Sequence, residues 1–555
     1  MSLILNQIQK IIKEAVNNLT PFVDDIVIEK TRNIAYGDYA TNIAILLAPI
    51  LKQKPEVIAK KIIAIIKLND FFTKIDFVFP GFINLTVNQN GLSAVITEIL
   101  KLKTKFGSGE ATNIKYNLEI VSANPTGILH IGHARNGAIG DAVARILKFA
   151  GNIVETEYYL NDAGNQINVL ANTICSYYLQ KLGVNVEILE QSYQGVYQEI
   201  LATNFVNKYQ DKFIAVRIVN GVINDEQVLA IFKQESVAFF LQLIKTQLKD
   251  FRINIDYWSS ELEMYTTKEI DKLVKELRAT NKFFEKDGAL WLKTTDYGDD
   301  KDRVLVKQDK SCAYILPDLA CHNLRIKRAK ANYLVNFWGA DHHSYLTRMQ
   351  VGLQILGYDA NILKIVIIQM VRLIKDGQEY KMSKRKGTAV WLIDLVMELG
   401  IDVVRYMLCS KASSSHMDLD LSLLTSQSNN NPVYYFQYAT ARCASILRNV
   451  PHNIDLTKTI ASYNLLTHPK ERELIKVLDY FSKVVKSAAK FCQPNIICDY
   501  IQELTRGFHS YYSECKILDE TNITLSEQRL HLIISTQYVF KNALNLIAVD
   551  FKDQM

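Results

Sequence analysis

The sequence has no strong charge bias, no paired cysteine motif and no long uninterrupted apolar run. Its 555 residues carry a formal net charge of +6, so overall charge does not identify a nucleic-acid-binding protein, although clustered basic residues could still form such a surface. No apolar run approaches the ~20 residues that span a bilayer, so we predict no membrane segment. Residues 1–20 have no arginine and no cleavable apolar segment, which indicates a first folded helix rather than a targeting sequence.

The cysteine pattern argues against zinc. None of the eight cysteines forms a Cys-x-x-Cys pair, and the closest two, Cys492 and Cys498, do not fit the common zinc spacings. Asp341, His342 and His343 resemble a metal site, but adjacent histidines at a strand end point in different directions. We therefore predict free thiols in a reducing cytoplasm and no metal site.

Length and composition predict a globular protein of about three domains. Residues 1–110 combine helices with an alternating strand pattern interrupted at Pro80-Gly81, which predicts a small α+β domain. Residues 111–395 form the next unit, with a largely helical insertion at about 170–290. Residues 396–555 read as helices throughout, so we predict an all-α bundle at the C-terminal end.

The most informative stretch is residues 114–141, which predicts a strand, a tight loop and a helix. His130 and His133 lie one turn apart at the helix start, where free backbone N–H groups and the helix dipole favour an anion. Two imidazoles there add donors that can follow a phosphate through its transition state. Gly132 and Gly140 leave room for a ligand to approach the backbone. Alone, this His-x-Gly-His motif is a weak signal that surface histidines would also satisfy.

A basic segment further along the chain strengthens the interpretation of the His-x-Gly-His motif as a phosphate site. Residues 381–387 read Lys-Met-Ser-Lys-Arg-Lys-Gly, after an apolar stretch and before a helix that begins near Leu392. A basic loop in that position is what a triphosphate needs once it is held at its other end. The alternative is a solvated charge run, although a Met-Ser insertion is not typical of one.

These two elements resemble the signature sequences of class I aminoacyl-tRNA synthetases, and the surrounding sequence narrows the resemblance to the arginyl-tRNA synthetase family. The further segments that carry it follow the family's order through most of the chain: Glu119 to Gly127, Tyr159 to Gln166, Asp299 to Arg303, Trp338 to His343 and Asn431 to Tyr438.

The resemblance implies an α/β fold with a Rossmann-like parallel-sheet catalytic core, an N-terminal α+β domain that binds the tRNA D-loop, and a C-terminal helix bundle that binds the anticodon. It implies ATP-dependent ligation of arginine to tRNA(Arg) through an arginyl-adenylate, with Mg²⁺ accompanying ATP. His130, His133, Lys381 and Lys384 would be catalytic. The ATP-binding residues would be Gly132, Gly339, Asp341, Met370, Val371, Lys381, Ser383 and Lys384.

The predicted arginine site centres on carboxylates, because a planar guanidinium is matched by a carboxylate in a bidentate fork. By resemblance, Glu119, Ser122 and Asn124 contribute to this site. Tyr314 and Asp318 are the other candidates, and their spacing of four would place them on one face if that segment is helical.

The predicted tRNA contacts lie at both ends of the chain. By resemblance, Phe82 would stack on a base and Asn84 would hydrogen-bond to a base edge. Near residue 434, aromatic and guanidinium side chains share one helix, a mixture that suits unpaired bases and phosphates, although a bundle core would also use tyrosines. These residues are Tyr434, Tyr435, Tyr438 and Arg442.

Three alternatives remain open. A small nucleotidyltransferase shares the His-x-Gly-His helix, but it would leave both terminal regions without a purpose. A catalytically inactive synthetase-like RNA-binding protein is disfavoured by the intact motifs. A class I synthetase for another amino acid is the third alternative. It is distinguished from an arginine-specific enzyme by whether Glu119 and Asp318 converge on one pocket. We also expect a cytoplasmic monomer.

Overall fold

The computed structural model describes residues 2–21, 26–31, 33–67, 69–340, 345–380, 390–458 and 460–555. The N-terminal unit packs four helices against a four-stranded antiparallel sheet with the order β1-β2-β4-β3. Its elements are α1 (Leu3–Asn17), β1 (Ile28–Lys30), β2 (Tyr39–Thr41), α2 (Ile43–Leu51), α3 (Pro55–Ile66), β3 (Phe72–Val78), β4 (Phe82–Val87) and α4 (Gln89–Leu102). The strand pattern interrupted at Pro80-Gly81 corresponds to β3 and β4, which form an antiparallel hairpin with the interruption at its turn.

The central unit is built on a five-stranded sheet in which all neighbouring strands are parallel. Its strands are β5 (Lys115–Glu119), β6 (Ile153–Leu160), β9 (Tyr257–Ser260), β13 (Tyr333–Gly339) and β14 (Leu363–Ile368). They lie in the order β14-β13-β5-β6-β9. The strand order therefore reverses between β5 and β13, and such a switch point opens a ligand crevice at the carboxyl ends of the strands. This arrangement confirms the predicted α/β class.

Helices cover both faces of this sheet. On one face, α5 (Ile131–Phe149) shares a buried core with Leu118 and Phe337 of the strands. On the other, α11 (Ile315–Ala329) and α12 (Tyr345–Ile355) pack over Leu334 and Leu363. Sheets with both faces covered need apolar residues on both sides of each strand, which explains the near-continuous apolar run in β14.

The insertion begins after β6 and has its own buried cluster of aromatic and aliphatic side chains. Its elements before β9 are α6 (Asn165–Lys181), α7 (Val196–Tyr209), β7 (Ile218–Val219), β8 (Val222–Ile223) and α8 (Glu226–Asp250). After β9 come α9 (Glu261–Thr266), α10 (Glu269–Ala279), β10 (Phe283–Lys286), β11 (Ala289–Leu292) and β12 (Arg303–Val306). The last three strands form a separate antiparallel sheet.

One helix of the described residues, α8, is long and apolar enough to cross a membrane by length and composition alone, which the sequence analysis did not anticipate. About 28% of its most apolar window is buried. Phe232 and Phe240 of this helix lie in the insertion's buried cluster together with Tyr178 and Phe205, so packing accounts for part of its apolar surface.

The C-terminal part begins with a connection that returns to the core. β15 (Val371–Lys375) pairs with β16 (Gln378–Glu379) and in parallel with β17 (Met417–Asp420). Between them lie α13 (Leu392–Leu399) and α14 (Ile401–Cys409), so residue 395, the expected boundary, falls inside a helix. After α15 (Leu421–Leu424), the bundle comprises α16 (Pro432–Arg448), α17 (Pro469–Phe491), α18 (Asn495–Glu514) and α19 (Ile523–Leu546).

The N-terminal unit docks on this bundle through buried polar contacts. Asp38, which is 5% exposed, accepts hydrogen bonds from Lys476 Nζ at 2.6 Å and Arg472 Nη2 at 3.1 Å. Asp479 on α17 accepts from the Leu3 backbone N–H at 2.7 Å, at the start of α1. The two ends of the chain are therefore joined to each other as well as to the core.

Candidate functional site

A cavity of about 800 Å³ opens at the switch point between β5 and β13. It collects side chains from the ends of four strands of the parallel sheet and from the helices on both of its faces. Among its lining residues are the predicted Glu119, Ser122, Asn124, His130, Gly132, His133, Asp318, Gly339 and Met370. Residues far apart in the sequence and assigned to phosphate chemistry or to guanidinium binding thus share one cavity.

The two histidines form the N-terminal cap of α5. His130 is the cap residue, and its Nδ1 accepts from the backbone N–H groups of Gly132 at 3.0 Å and His133 at 3.4 Å. The His133 Nδ1 accepts from the His130 backbone N–H at 3.4 Å. The rings stack with centroids 3.6 Å apart. Because Nδ1 is an acceptor in each neutral ring, Nε2 carries the hydrogen and is left as a donor.

Both imidazoles are held neutral. Burial lowers the pKa of His130, and burial together with the neighbouring His130 lowers the pKa of His133 to about 3. Two cations could not stack at this distance without strong repulsion, so the pair offers neutral N–H donors at neutral pH. Neutral donors at a helix N-terminus stabilise a phosphate without needing a proton to be gained or lost.

The loop between β5 and the histidines has an unusual backbone. Val121 and Ser122 have φ values of +69° and +43°, a left-handed conformation that β-branched residues such as valine rarely adopt. Asn136 of α5 holds it in place, because its Oδ1 accepts from the Val121 N–H at 2.8 Å and its Nδ2 donates to the Phe337 carbonyl at 2.7 Å. The Ser122 Oγ accepts from the Tyr159 N–H at 3.0 Å.

The glycines of the motif have different roles. Gly132 lines the cavity, as expected. Gly140 does not leave space for a ligand, because a Cβ there would lie 1.7 Å from Ile120 Cγ2. Its missing side chain instead lets α5 approach the end of β5 closely, which corrects the ligand-approach interpretation for Gly140.

Glu119 and Asp318 enter the cavity with internal partners. Glu119 Oε2 accepts from Arg325 Nη1 at 2.7 Å, and burial raises the pKa of this carboxyl while Arg325 opposes the shift. Asp318 Oδ2 accepts from the Tyr345 hydroxyl at 2.6 Å. Glu119 and Asp318 therefore line one cavity, which is the arrangement expected of a site that binds a guanidinium group.

Tyr314 is not brought together with Asp318. It precedes α11 and is 91% exposed, and it is not among the described residues that line the cavity. The helix tolerates Pro317 in its first turn, where the missing N–H has no intrahelical partner to lose. Because the helix begins at Ile315, the Tyr314 side chain projects beyond its open end into solvent.

Only some of the residues expected to bind ATP lie within the described part of the chain. Gly339 and Met370 line the cavity, whereas Val371 begins β15 and is not among the described lining residues. Asp341, Lys381, Ser383 and Lys384 lie outside the described residues. The segment next to Met370 is anchored by the buried Arg135 of α5, whose Nη1 donates to the carbonyls of Gln369 at 2.7 Å and Ser415 at 2.9 Å.

The predicted tRNA residues differ in exposure. Phe82 begins β4 with a partly exposed ring, but Asn84, in the middle of the same strand, is 6% exposed. In this conformation its amide does not reach solvent to meet a base edge. Phe79, in the adjoining hairpin turn, is far more exposed.

The aromatic residues of α16 combine with α18 into a surface that we call the α16–α18 patch, comprising Tyr435, Tyr438, Arg442, His509 and Tyr512. The Tyr438 ring stacks on His509 with centroids 5.8 Å apart, and Arg442 Nη1 donates to the Tyr512 hydroxyl at 3.2 Å. A cavity of about 470 Å³ adjoins Arg442 and Tyr512. Tyr434 is half-buried on the same helix.

Several contributors were not identified from the sequence. Arg325, Asn336, His322 and Tyr345 line or support the cavity, and His509 and Tyr512 complete the α16–α18 patch. A helical projection of α18 could have placed His509 and Tyr512 on one face. The position of Arg325 could not be inferred from the sequence, because Asn117 and Glu119 lie more than two hundred positions away from it and only Asn336 is near.

Within the described residues there is no group of three or more histidine, cysteine or acidic side chains arranged to hold a metal ion. Asp341, His342 and His343 lie outside the described residues. All eight cysteines are free.

Three family models match successive parts of the chain. Family models match along the chain as follows: "Arginyl tRNA synthetase N terminal domain" at residues 6–87, "tRNA synthetases class I (R), catalytic domain" at residues 95–418 and "DALR anticodon binding domain" at residues 436–555. The catalytic model alone covers more than half of the chain.

Full-length relatives agree with these models. The chain is 48% identical over 560 residues to the arginine–tRNA ligase of Mesoplasma florum, with 100% of each chain covered. It is 41% identical over 534 residues to that of Geobacillus kaustophilus, covering 96% of this chain and 94% of the relative. The solved structure of Thermus thermophilus arginyl-tRNA synthetase is 20% identical and supports the fold, with a TM-score of 0.77 over 99% of this chain and 100% of that one. The chain belongs to the arginyl-tRNA synthetase family.

Proposed function

We propose residue roles for the reaction that family membership establishes, the ATP-dependent charging of tRNA with arginine. The observation that supports them is the shared cavity, in which the stacked histidines and the two carboxyls lie together. The alternatives of a nucleotidyltransferase, an inactive RNA-binding protein or a synthetase for another amino acid are not favoured by the full-length matches.

The first step joins arginine to the nucleotide. The α-carboxylate of arginine attacks the α-phosphorus of ATP in line, the bond to the bridging oxygen breaks, and pyrophosphate leaves with the electron pair. We propose that His130 and His133 donate through Nε2 to the non-bridging α-phosphate oxygens as charge develops there. No covalent enzyme intermediate is required, so catalysis depends on positioning and charge stabilisation.

We propose that Glu119 and Asp318 bind the arginine guanidinium, with Ser122 and Asn124 beside them. The free oxygens of two carboxyls match the forked donors of a guanidinium better than those of an ammonium group, which favours arginine over lysine. For Tyr314 the role rests on the family resemblance alone.

The nucleotide contacts proposed for Gly132, Gly339 and Met370 are supported by their positions on the cavity wall. The roles of Val371, Asp341, Lys381, Ser383 and Lys384 rest on the resemblance. Mg²⁺ prefers phosphate oxygens and water to a cage of protein ligands, so we propose that it enters bound to ATP. We also propose that the enzyme needs no zinc.

In the second step a terminal ribose hydroxyl of tRNA attacks the adenylate carbonyl and AMP leaves. We propose that residues 396–555 bind the anticodon, with the α16–α18 patch and Tyr434 contacting unpaired bases. Residues 1–110 would meet the outer corner of tRNA through Phe82 and Asn84, which requires Asn84 to become exposed. Residues 111–395 would carry the chemistry as a cytoplasmic, membrane-independent monomer.

Pyrophosphate exchange into ATP tests these roles. The enzyme is assayed with each amino acid in turn, with and without tRNA. We expect exchange only when the amino acid is arginine. We also expect Glu119→Gln and Asp318→Asn to raise the KM for arginine by about a hundredfold while the KM for ATP stays unchanged. A rise in the KM for ATP of equal size would contradict the guanidinium assignment.

A further inference from the structure

Arg325 is a buried side chain that lies outside the large cavity but contacts Glu119, a residue of the proposed substrate-binding site. The residue is 1% exposed on α11 and lines a separate cavity of about 220 Å³ rather than the large one. Its Nη1 donates to Glu119 Oε2 at 2.7 Å and to Asn336 Oδ1 at 2.9 Å, and its Nε donates to Asn117 Oδ1 at 2.8 Å. Among the described residues its Nη2 has no hydrogen-bond partner.

The same guanidinium reaches the second carboxylate through a relay. Asn336 Nδ2 donates to His322 Nε2 at 2.8 Å, and the His322 Nδ1 donates to the Asp318 backbone carbonyl at 2.7 Å. This assigns the hydrogen of the neutral ring to Nδ1. Arg325 therefore fixes the side chain of Glu119 directly and supports the backbone at Asp318 indirectly.

Arg325 also supplies the positive charge that faces Glu119. The carboxyl is largely removed from water, which disfavours its charged form, and Arg325 and Ser122 oppose that effect while Glu157 adds to it. Without a charged carboxylate, a substrate guanidinium loses most of its electrostatic attraction. Titratable or charged groups that surround Glu119 within the described residues are Glu157 and Tyr159 of β6, Asp318, Cys321, His322 and Arg325 of α11, Tyr345 of α12, and His130 and His133 of α5.

We propose that Arg325 is a positioning residue for arginine recognition: it holds Glu119 in one orientation and keeps it negatively charged, without contacting the substrate. This inference rests on the proposed role of Glu119. It explains why an enzyme that binds a guanidinium keeps a guanidinium of its own against the same carboxylate. Arg325 occupies Oε2, so the substrate would be met by the other oxygen together with Asp318.

The test is the pH dependence of the KM for arginine in Arg325→Met. Removing the facing cation removes the contribution that opposes the effect of burial, so Glu119 becomes charged only at a higher pH. We therefore expect the KM for arginine in this variant to rise about tenfold as the pH is lowered, while the KM for ATP stays unchanged. In wild-type enzyme the same rise should begin at lower pH.

Arg328→Met is the matched control, because Arg328 lies on the same helix and pairs with Glu155 and Glu157 but, among the described residues, forms no hydrogen bond or ion pair with Glu119. It should leave the pH profile for arginine in place. A pH profile for arginine that matches that of the wild type would overturn the proposal, because Arg325 would then not control the charge of Glu119. A rise in the KM for ATP of the same size would also overturn it, because that result indicates a general structural defect.

A double-mutant comparison keeps the test decisive if Arg325→Met folds poorly. Arg325→Lys retains the charge but not the fork, so the KM for arginine should rise about three- to tenfold with the profile little shifted. In a Glu119→Gln background, Arg325→Lys should add no further increase, and an additive increase would contradict action through Glu119. Equilibrium dialysis with arginine separates this outcome from a failure of the proposed reaction, which would abolish exchange in every variant, wild type included.

Discussion

Each imidazole at the start of α5 has one nitrogen engaged by the backbone and one left for a ligand. The engaged nitrogen makes His130 a capping residue as well as a proposed catalytic one. A substitution at this position can therefore change the stability of the helix, the chemistry or both. Separating these effects requires a replacement that keeps the cap while removing the ring.

Asparagine at position 130 makes that separation. Its side-chain oxygen can accept from the Gly132 and His133 N–H groups, since asparagine is among the best N-cap residues. We expect His130→Asn to reduce kcat about a hundredfold or more with little change in stability. His130→Ala should show the same loss and also lower the free energy of unfolding by about 1 kcal/mol. Steady-state kinetics and urea unfolding measure the two effects, and equal stability losses in both variants would contradict the capping role.

His322 provides a pH-dependent contribution to stability. Burial, with a smaller effect from Arg325, lowers its pKa from 6.5 to about 3. Between these values the unfolded chain binds a proton that the folded one does not, so the free energy of unfolding falls as pH falls below 6.5. At about pH 5 the loss should be about 2 kcal/mol.

The comparison is made by urea unfolding of the wild type and His322→Gln from pH 7.5 down to about pH 5. The glutamine variant lacks the titrating ring, so its stability should depend less steeply on pH in this range. Equal slopes for both proteins would show that another group dominates.

Some site residues could be predicted from the sequence around them, and others depend on distant parts of the chain. His130 and His133 were predictable because their helix, cap and loop are all encoded within thirty residues. The cavity partners of Glu119 were not, because α11 reaches β5 only through the crossover order of the sheet. Asn84 and Tyr314 illustrate the same limit, since the exposure of a side chain depends on what packs against the strand or on where the helix begins, and not on residue type alone.

At the scale of elements, the position of α5 depends on how closely it approaches β5. The strand-loop-helix unit was predictable from apolar periodicity, and so was the start of α13 at Leu392. The separate β10–β12 sheet was not, because a strand's sequence does not specify which sheet it joins. The closeness of α5 and β5 is set by Gly140, which gives a direct test.

Gly140→Ala should push α5 away from the sheet. The new Cβ would lie 1.7 Å from Ile120 Cγ2, and overpacking of this kind costs about 1–3 kcal/mol. Because α5 carries both histidines, we also expect kcat to fall. Gly140→Ala combined with Ile120→Ala should recover part of the stability.

Gly507→Ala is the control for a glycine inside a helix. Its Cβ would meet Leu474 Cδ1 at an ordinary 3.7 Å, so the better helix propensity of alanine should raise stability by up to about 1 kcal/mol. Similar losses of stability in the two single variants would contradict the packing explanation.

At the scale of the whole molecule, charge pairs of unequal burial join the N-terminal unit to the bundle. Asp38 is buried against Arg472 and Lys476, whereas the ion pair of Lys30 and Glu503 is more exposed, with side chains 26% and 42% accessible. Breaking a buried pair leaves an uncompensated charge, while an exposed pair is screened by water. The buried pair should therefore hold the two units together.

Asp38→Asn should loosen the docking by about 3–5 kcal/mol, whereas Glu503→Gln should change it by less than about 1 kcal/mol. Hydrogen exchange followed by mass spectrometry measures this difference. Peptides of the N-terminal sheet should exchange faster in Asp38→Asn, while those of the parallel sheet stay protected. Equal protection in the two variants would assign the docking to apolar contacts instead.

The strand order has a consequence for synthesis on the ribosome. β5 is the middle strand of the core and the first of its strands to be made, but β13, its neighbour at the switch point, follows only about 200 residues later. At typical elongation rates the exposed edge of β5 waits about 10–40 s for that neighbour. During that interval one edge of β5 has unpaired backbone groups, although β6 already covers the other edge, so chains released before residue 340 should aggregate or be held by chaperones.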